Sequence, residues 1–312
     1  MVQMRSRTRR RLTAVTVAAV ATAALAACGN APTATPAAHQ MALQPDLIDQ
    51  APVASAEEIA QSATAAAIKK RGQLIIGGDL DMPLLSQQNP TTGQTEGFDA
   101  TLGKMLAKYI IGTPDTKITS LTPEIRETLL KINTVDVVIR IYTITEKRAE
   151  QVSFAGPYLT SGQAIATLKT TKNISKPSDL VGKKVAAVSN TTSAAAVQAQ
   201  APGAKLTTYN TGAECVSALE QGTADAYVHD LTVLAGAAQL NKKIQVVDSS
   251  FTNDPYGIGI RHGDTSFKKF INTWLKKIED NGLWQAAWKK SLGTVVLGDA
   301  PTPPVIGSVA GS

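Results

Sequence analysis

The segment that constrains the fold most is residues 135–148, where an apolar run passes directly into a predicted helix start. The first five residues are apolar and mostly β-branched apart from Asp136, which predicts a buried strand. Thr145 stands where a helix N-cap is expected, so that Arg148 falls in the first helical turn. A buried strand that opens onto a helix N-terminus, beside an Arg and the hydroxyls of Thr143 and Thr145, is typical of a site for a small anion such as a carboxylate.

An Arg in a first helical turn is also common on solvated surfaces, where it binds nothing. Residues 143–158, however, carry the motif Thr-x-Thr-x-x-Arg followed by Phe and then Pro-Tyr. This motif resembles the signature of the family 3 extracytoplasmic solute-binding proteins, the polar amino-acid receptors of ABC importers. The resemblance implies that Thr143 and Arg148 hold the α-carboxylate of an amino acid. It covers roughly residues 71–293, and it is closest to actinobacterial glutamate/glutamine-binding lipoproteins.

The basic charge of the chain lies at its N-terminus. The formal net charge is +6, from 31 Lys and Arg against 25 Asp and Glu. Five of the basic residues are arginines between positions 5 and 11, and no acidic residue precedes Cys28, so 26 basic residues face 25 acidic ones in the rest of the chain. The charge therefore belongs to a leader, and it does not indicate a nucleic-acid partner.

The leader predicts secretion and lipidation. Residues 12–27 form an apolar stretch of 16 residues, which is short for a spanning helix and typical of a signal peptide over residues 1–27. Residues 25–28 read Leu-Ala-Ala-Cys and resemble a bacterial lipobox, which implies that Cys28 is acylated and anchors the protein to the outer face of the cell membrane. The alternative is an uncleaved N-terminal anchor. Residues 28–55 have few large apolar side chains and are interpreted as a flexible lipidated tether.

The remaining composition argues against a metal, a cofactor or a disulfide. With Cys28 acylated, only Cys215 is left, and its helical context predicts a buried thiol. The three His residues are not clustered, and no glycine-rich phosphate loop is present. We therefore expect neither a metal site nor a cofactor.

Strands alternate with helices in both halves, which predicts an α/β fold of two lobes around a cleft. The resemblance implies the type II periplasmic-binding-protein fold, with Gly162 as a hinge residue. The expected divisions are lobe 1 over residues 56–160 and 253–292, lobe 2 over residues 161–252, and a loose C-terminal tail over residues 293–312.

Two further arginines are candidates for the ligand's side chain. Arg126 is predicted in the first turn of a helix that begins at Thr122, where it could be a surface residue balanced by Glu124 or Glu127. The resemblance implies instead that it meets the side-chain carboxylate of an acidic amino acid.

Arg140 places a charge at the end of the buried strand. Such a charge is costly unless it is paired, and its partner could be an anionic ligand or Asp136.

Lobe 2 is expected to supply the opposite wall of the cleft. Thr191 and Thr192 lie in a loop where the family usually has Gly-Thr-Thr, and they would offer hydroxyls and N–H groups to the α-carboxylate. Asn190 replaces the usual Gly, and Asn tolerates left-handed backbone angles. Asp230 stands where the family has the Asp that binds the α-ammonium, although it could also cap the following helix. Its neighbour His229 is interpreted as a packing residue.

The sequence thus predicts a binding protein and not an enzyme. We expect capture of L-glutamate or L-aspartate, with Gln and Asn as possible ligands, and delivery to an ABC permease by a receptor held at the membrane through its lipid anchor. Two alternatives use the same lobes: a receptor for a membrane sensor, and an enzyme that resembles cyclohexadienyl dehydratase. The expected role of Asp230 in binding an amino group argues against the enzyme.

Overall fold

The computed structural model describes residues 46–247, 250–296 and 298–312. The expected signal peptide, the lipidation site Cys28 and residues 28–45 of the expected tether lie outside the described residues. Within the described ranges, no helix is both long and apolar enough to cross a bilayer.

Helices and strands alternate through the described chain. The α-helices are α1 (Ala56–Ala60), α2 (Ala63–Arg71), α3 (Phe98–Ile111), α4 (Arg126–Lys131), α5 (Glu146–Ala149), α6 (Thr192–Gln200), α7 (Gly212–Glu220), α8 (Leu231–Leu240), α9 (Thr265–Asp280) and α10 (Leu283–Lys290), with short 3-10 turns at Pro177–Leu180 and Leu292–Thr294. The strands are β1 (Leu74–Gly78), β2 (Asp81–Met82), β3 (Ser86–Gln88), β4 (Thr95–Glu96), β5 (Thr116–Ser120), β6 (Val137–Val138), β7 (Val152–Ser161), β8 (Gln163–Leu168), β9 (Lys184–Val188), β10 (Lys205–Tyr209), β11 (Ala226–Asp230), β12 (Ile244–Val246) and β13 (Asp254–Arg261).

The first lobe is built on a five-stranded sheet in the order β5-β1-β6-β13-β7. Strand β1 is parallel to β5 and β6, while β13 runs antiparallel to β6 and β7. The predicted buried strand is present as β6, shorter than expected but fully buried. A small antiparallel sheet of β2, β3 and β4 follows β1.

The second lobe has its own five-stranded sheet in the order β10-β9-β11-β8-β12. Strands β9, β10 and β11 are parallel, and β8 is antiparallel to β11 and β12. The chain passes from the first sheet to the second through Gly162, between β7 and β8, and it returns through residues 251–254. At the first crossing the backbones are close, because a Cβ on Gly162 would lie 2.1 Å from the carbonyl oxygen of Thr252.

The core of lobe 1 lies between its sheet and α3, α9 and α10. Helix α9 places its predicted apolar face into this core, where Trp274 is fully buried. Trp284 of α10 packs edge-on against Phe98 and donates from its indole N–H to the carbonyl of Tyr158 at 2.7 Å. These contacts join the segment after the second crossing to the part of lobe 1 that precedes it.

Two segments expected to be flexible pack against lobe 1 instead. Before α1, Ala51 and Ala54 are buried, and the Lys108 Nζ donates to the carbonyls of Ile48 and Asp49 at 2.9 and 2.8 Å. The described residues 46–55 are therefore not part of a free tether. The prediction failed because a few small apolar residues suffice to bury a short segment against an existing core.

The C-terminal tail also folds back onto lobe 1, so the expectation that residues 293–312 are loose is wrong for the described part. Ile306 packs against the main core, and Val309 packs against the cluster beneath α4 and α5. The Gly307 N–H donates to the carbonyl of Gly156 at 2.9 Å. Isolated apolar residues in a Pro- and Gly-rich tail thus find partners that the tail's composition does not reveal.

Candidate ligand-binding site

The candidate residues sit at strand ends and helix starts that face each other across the cleft. Thr145 caps α5, since its Oγ1 accepts from the Arg148 N–H at 3.2 Å, as predicted. In lobe 2, Thr191 caps α6 in the same way. Each lobe therefore contributes a helix start beside the candidate residues, and the first N–H groups of a helix have no partner within the helix itself.

The residues expected at an α-carboxylate are brought together across the cleft. The hydroxyl oxygens of Thr143 and Thr192 lie 3.4 Å apart, although they belong to different lobes. Arg148 donates through Nη1 to the carbonyl of Thr143 at 2.8 Å and through Nη2 to that of Asn190 at 3.3 Å. Burial lowers the pKa of Arg148, while the acidic groups around it oppose this effect.

Thr191 does not contribute its hydroxyl to this group. Its Oγ1 donates to the carbonyl of Val188 at 2.6 Å and accepts from the Ala194 N–H at 3.4 Å. Thr191 therefore caps α6, and the expectation that it also contacts a ligand stays a prediction. Asn190 has the left-handed φ of 53° that its replacement of Gly predicts.

Arg126 is buried in the cleft wall and is not a surface residue. Its side chain is 3% exposed, its guanidinium lies 3.8 Å from the centre of the Tyr142 ring, and its Nη2 donates to the carbonyl of Asn190 at 3.5 Å. Burial lowers its pKa to about 9, an effect that the nearby Arg148 increases. Its Nε is 3.5 Å from Glu127 Oε1, which also accepts from the Tyr142 hydroxyl at 2.5 Å. Helix α4 begins at Arg126 itself, later than the expected start at residue 122.

Arg140 has an internal counter-ion that the sequence did not indicate. Its Nε lies 2.6 Å from Asp79 Oδ2, and both side chains are 12% exposed. Within the described residues, neither atom makes a geometrically aligned hydrogen bond, and the contact is an ion pair. Asp136 pairs with Arg71 instead, so the proposed pair of Asp136 with Arg140 is wrong. With Asp79 beside it, Arg140 does not need an anionic ligand to compensate its charge.

A cavity of about 790 Å³ opens between the lobes beside this ion pair. Burial raises the pKa of Asp79 to about 6, although Arg140 opposes the shift. Apolar side chains from both lobes line the rest of the cavity, among them Met82, Pro83, Ile125, Val216, Val233 and Leu240. Sequence reasoning missed this wall, because residues that are distant in the chain form it together.

Asp230 lies buried on the lobe 2 side of the cleft, 2% exposed. Its Oδ2 is 2.9 Å from His229 Nδ1, and its Oδ1 accepts from Gln163 Nε2 at 3.3 Å. Asp230 occupies the N-cap position of α8, yet within the described residues its side chain makes no capping hydrogen bond. The capping alternative is therefore wrong, and the carboxylate remains directed to polar partners in the cleft.

Gln163 is a functional candidate that the sequence analysis missed. Its Nε2 donates to Asp254 Oδ2 at 2.9 Å and to Thr192 Oγ1 at 3.1 Å, in addition to Asp230. The available signal was a polar residue directly after Gly162, where the chain crosses between the sheets, at the start of the apolar strand β8.

The lobes also meet at three further polar contacts. Ser189 donates to Glu124 Oε1, the Asn190 side-chain amide donates to the carbonyl of Pro123 at 3.1 Å, and the hydroxyls of Thr232 and Tyr256 lie 3.1 Å apart. The site therefore has cationic and hydroxyl groups on the lobe 1 side and a buried carboxylate on the lobe 2 side. This arrangement is complementary to a zwitterion whose ammonium and carboxylate bind opposite walls.

Comparison with known proteins identifies the family of the chain. Residues 74–294 match the family model of the bacterial extracellular solute-binding proteins, family 3. The chain is 34% identical over 228 residues to the ABC transporter glutamine-binding protein GlnH of Bacillus subtilis (strain 168), which covers 73% of this chain and 84% of the relative. It is 33% identical over 236 residues to the glutamate-binding protein GluB of Corynebacterium efficiens, which covers 72% and 80%.

A solved structure supports the fold. The crystal structure of the ancestral amino acid-binding protein AncCDT-1, a precursor of cyclohexadienyl dehydratase, superposes with a TM-score of 0.68 at 34% identity, covering 73% of this chain and 99% of the other. The predicted two-lobed type II fold is thus confirmed. Because the family match spans well over half of the 312 residues, the chain belongs to the bacterial extracellular solute-binding proteins of family 3.

Proposed function

We propose that the protein is an extracytoplasmic lipoprotein that captures L-glutamate or L-aspartate by hinge closure and delivers it to an ABC importer, with Gln and Asn as weaker ligands. The observation that carries the proposal is the opposition of charge across the cleft. Arg148 and Thr143 line the lobe 1 side, and the buried Asp230 lines the lobe 2 side. An amino acid presents a carboxylate and an ammonium that these groups complement.

In the proposed mechanism, Arg148, Thr143 and Thr192 bind the α-carboxylate, and Asp230 binds the α-ammonium. Because the ligand contacts both lobes, every contact forms only when the lobes are closed. Binding therefore shifts the hinge equilibrium toward closure. Periplasmic binding proteins are an established example of such hinge closure around a ligand. The closed form is then what the membrane partner recognises.

The preference for an acidic side chain rests on Arg126. Arg126 and Arg148 both donate to the carbonyl of Asn190, and Arg126 also lies beside the carboxylate of Glu127. These two guanidiniums and one carboxylate leave the cluster with one net positive charge. The Arg140–Asp79 ion pair adds no net charge to this balance. Relatives named for glutamine and for glutamate are both consistent with a polar side chain of this length.

Membrane attachment is part of the proposal. The leader, the Leu-Ala-Ala-Cys segment and the family's extracellular placement together support acylation at Cys28. Several acyl chains, at about 0.8 kcal/mol per buried CH₂, would hold the protein at the outer face of the membrane. Residues 29–45 then serve as the tether, since the following residues pack against lobe 1.

The test is a thermal-shift screen of the full chain, purified in detergent, against the twenty amino acids and prephenate. A ligand selective for the folded state raises the melting temperature. A shift with Glu and Asp that exceeds the shift with Gln and Asn supports amino-acid binding and the proposed preference for an acidic side chain. A larger shift with another amino acid retains the binding protein and removes its specificity, and no shift with any amino acid contradicts the function.

An enzyme is the second candidate, because AncCDT-1 is a binding protein ancestral to cyclohexadienyl dehydratase. The same lobes therefore accommodate carboxylate substrates in that lineage. We propose that this chain is not an enzyme, since the buried Asp230 favours a ligand with an amino group, which prephenate lacks. Turnover of prephenate or arogenate by the purified protein would contradict this part.

A further inference from the structure

We propose that Gln163 completes the ammonium site: its amide nitrogen holds Asp230 in place, and its amide oxygen accepts a hydrogen bond from the ligand's α-ammonium. The inference rests on the proposed function, since it concerns the same cleft and the same class of ligand. It adds a ligand contact that comes from the hinge itself.

The backbone of Gln163 is held between the two crossings. Its N–H donates to Thr252 Oγ1 at 2.7 Å, and its carbonyl accepts from the Phe251 N–H at 2.8 Å. Both partners belong to the returning crossing, which precedes β13. The side chain therefore starts from a fixed point at the hinge, and it is fully buried.

Three oxygen atoms determine which way the amide faces. The Nε2 lies 2.9 Å from Asp254 Oδ2, 3.1 Å from Thr192 Oγ1 and 3.3 Å from Asp230 Oδ1. Ionised carboxylates accept hydrogen bonds and do not donate them, so a rotated amide would place its oxygen against two acceptors. The nitrogen must face these groups, and the oxygen must face away from them.

The amide oxygen is consequently left without a donor. Gln163 Oε1 is buried and has no hydrogen-bond partner within the described residues. Leaving a buried polar atom unsatisfied is costly, and such atoms are uncommon in folded proteins. An α-ammonium bound to Asp230 has further N–H groups to donate, and it would lie beside the amide that already contacts this carboxylate. The ligand thus supplies the donor that the site lacks.

The same amide links the ligand to the hinge. Asp254 begins β13 on the returning crossing, while in lobe 2 Thr192 begins α6 and Asp230 ends β11. One side chain therefore contacts the hinge, the lobe 2 hydroxyl and the ammonium anchor together. A ligand that orders this amide would also order the crossing strands.

The test is a comparison of two ligands in two proteins, measured by calorimetry on the full chain in detergent. L-Glutamate carries the α-ammonium, and glutarate lacks it. We expect Gln163→Met to weaken L-glutamate by about tenfold or more while leaving the weaker binding of glutarate unchanged. The control is Gln245→Met, which removes a partly buried amide of β12 that donates to Thr167 within the same lobe. It should leave both affinities unchanged.

The outcomes separate this inference from the function on which it rests. Equal weakening of both ligands by Gln163→Met would assign the residue a structural role, and unchanged L-glutamate binding would overturn the inference while the function stands. Failure of the wild-type protein to bind L-glutamate or any other amino acid would remove both.

If Gln163→Met does not fold, a crystal structure of the wild-type complex decides: an ammonium nitrogen within hydrogen-bond distance of Gln163 Oε1 is expected, and one beyond that distance would overturn it.

Discussion

Two regions of the lobe 1 wall each bury arginine, and they compensate its charge in different ways. In the first region, Arg140 lies beside Asp79, so the pair is neutral in itself. In the second, Arg126 and Arg148 share the carbonyl of Asn190, the ring of Tyr142 and the nearby carboxylate of Glu127. The second region thus carries more positive charge than its acidic side chains balance.

This difference separates a structural charge from one available to a ligand. A desolvated cation without a full counter-charge is costly, and a bound anion stabilises it by supplying the missing negative charge. A cation with its own carboxylate offers an arriving anion much less. We therefore assign carboxylate binding to the region of Arg126 and Arg148, and we assign the Arg140–Asp79 pair to the cavity wall.

The largest effect is expected from breaking the neutral pair. Arg140→Met leaves Asp79 buried without its counter-ion, and we expect the free energy of unfolding at pH 7.5 to fall by about 3 kcal/mol. The pKa of Asp79, already raised to about 6 by burial, should rise further. A carboxyl whose pKa is higher in the folded than in the unfolded state contributes most to stability below its unfolded-state pKa, and this contribution is lost as the pH rises. The decrease in the free energy of unfolding caused by Arg140→Met should therefore be smaller at pH 5 than at pH 7.5. Urea unfolding at both pH values measures it.

The matched control for this variant is Arg71→Met. Arg71 also pairs with an aspartate, Asp136, but its side chain is 40% exposed. Exposed pairs contribute about 0 to 1 kcal/mol, so its loss should be small. An equally small, pH-independent loss in Arg140→Met would show that the buried pair is not what compensates Asp79.

Arg148→Ala tests the other region directly. Losing one member of a desolvated charge pair costs about 2 to 5 kcal/mol, so L-glutamate binding should weaken about thirtyfold or more. The neighbouring Lys147 is exposed on the same short helix, and Lys147→Ala should leave the affinity unchanged. Calorimetry on both variants measures the difference. Wild-type affinity in Arg148→Ala would move the carboxylate site elsewhere.

The sequence predicted the elements of this site better than its pairings. Local rules identified the cap at Thr145, the left-handed Asn190 and the buried strand, because capping, backbone conformation and apolar runs depend on neighbours in the chain. The family resemblance supplied the two lobes and the crossings. Both kinds of evidence concern single segments.

Pairings between distant segments were not predictable in the same way. Asp79 and Arg140 are separated by 61 positions, and Asp136 was the nearer acidic residue in the chain. The Gln163 amide contacts three residues on three different elements, so no local pattern indicates it. The C-terminal tail was misjudged for the same reason, since Ile306 finds its partners only in the folded lobe.

Arg126 sharpens the comparison within the cationic region. Arg126→Met should weaken L-glutamate relative to L-glutamine by about tenfold, because the charge that distinguishes the two side chains is removed. The cation–π contact with Tyr142 is also lost, but the variant removes an incompletely compensated buried charge as well, so the two effects on stability oppose each other. Lys131→Met at the exposed end of the same helix is the control. Equal weakening of both ligands would show that Arg126 does not select the side chain.

The smallest effect concerns whether the neutral pair also influences the ligand. Asp79 lines the cavity beside Arg140, with Asp81 and His229 close enough to affect it, and its pKa of about 6 lies within a convenient range. Above this pH the ionised Asp79 repels an acidic side chain, and below it the repulsion disappears while free glutamate stays ionised. The affinity for L-glutamate relative to L-glutamine should therefore rise about threefold from pH 7.5 to pH 5.5.

Asp79→Asn identifies the source of this pH dependence. The variant carries no charge at position 79 at either pH, so Arg140 is uncompensated throughout. It should already favour L-glutamate at pH 7.5 and should show a smaller change on acidification. Calorimetry with both ligands at the two pH values measures the ratio. A ratio that is constant in the wild-type protein would mean that the ligand's side chain points away from the cavity wall, toward Arg126 alone.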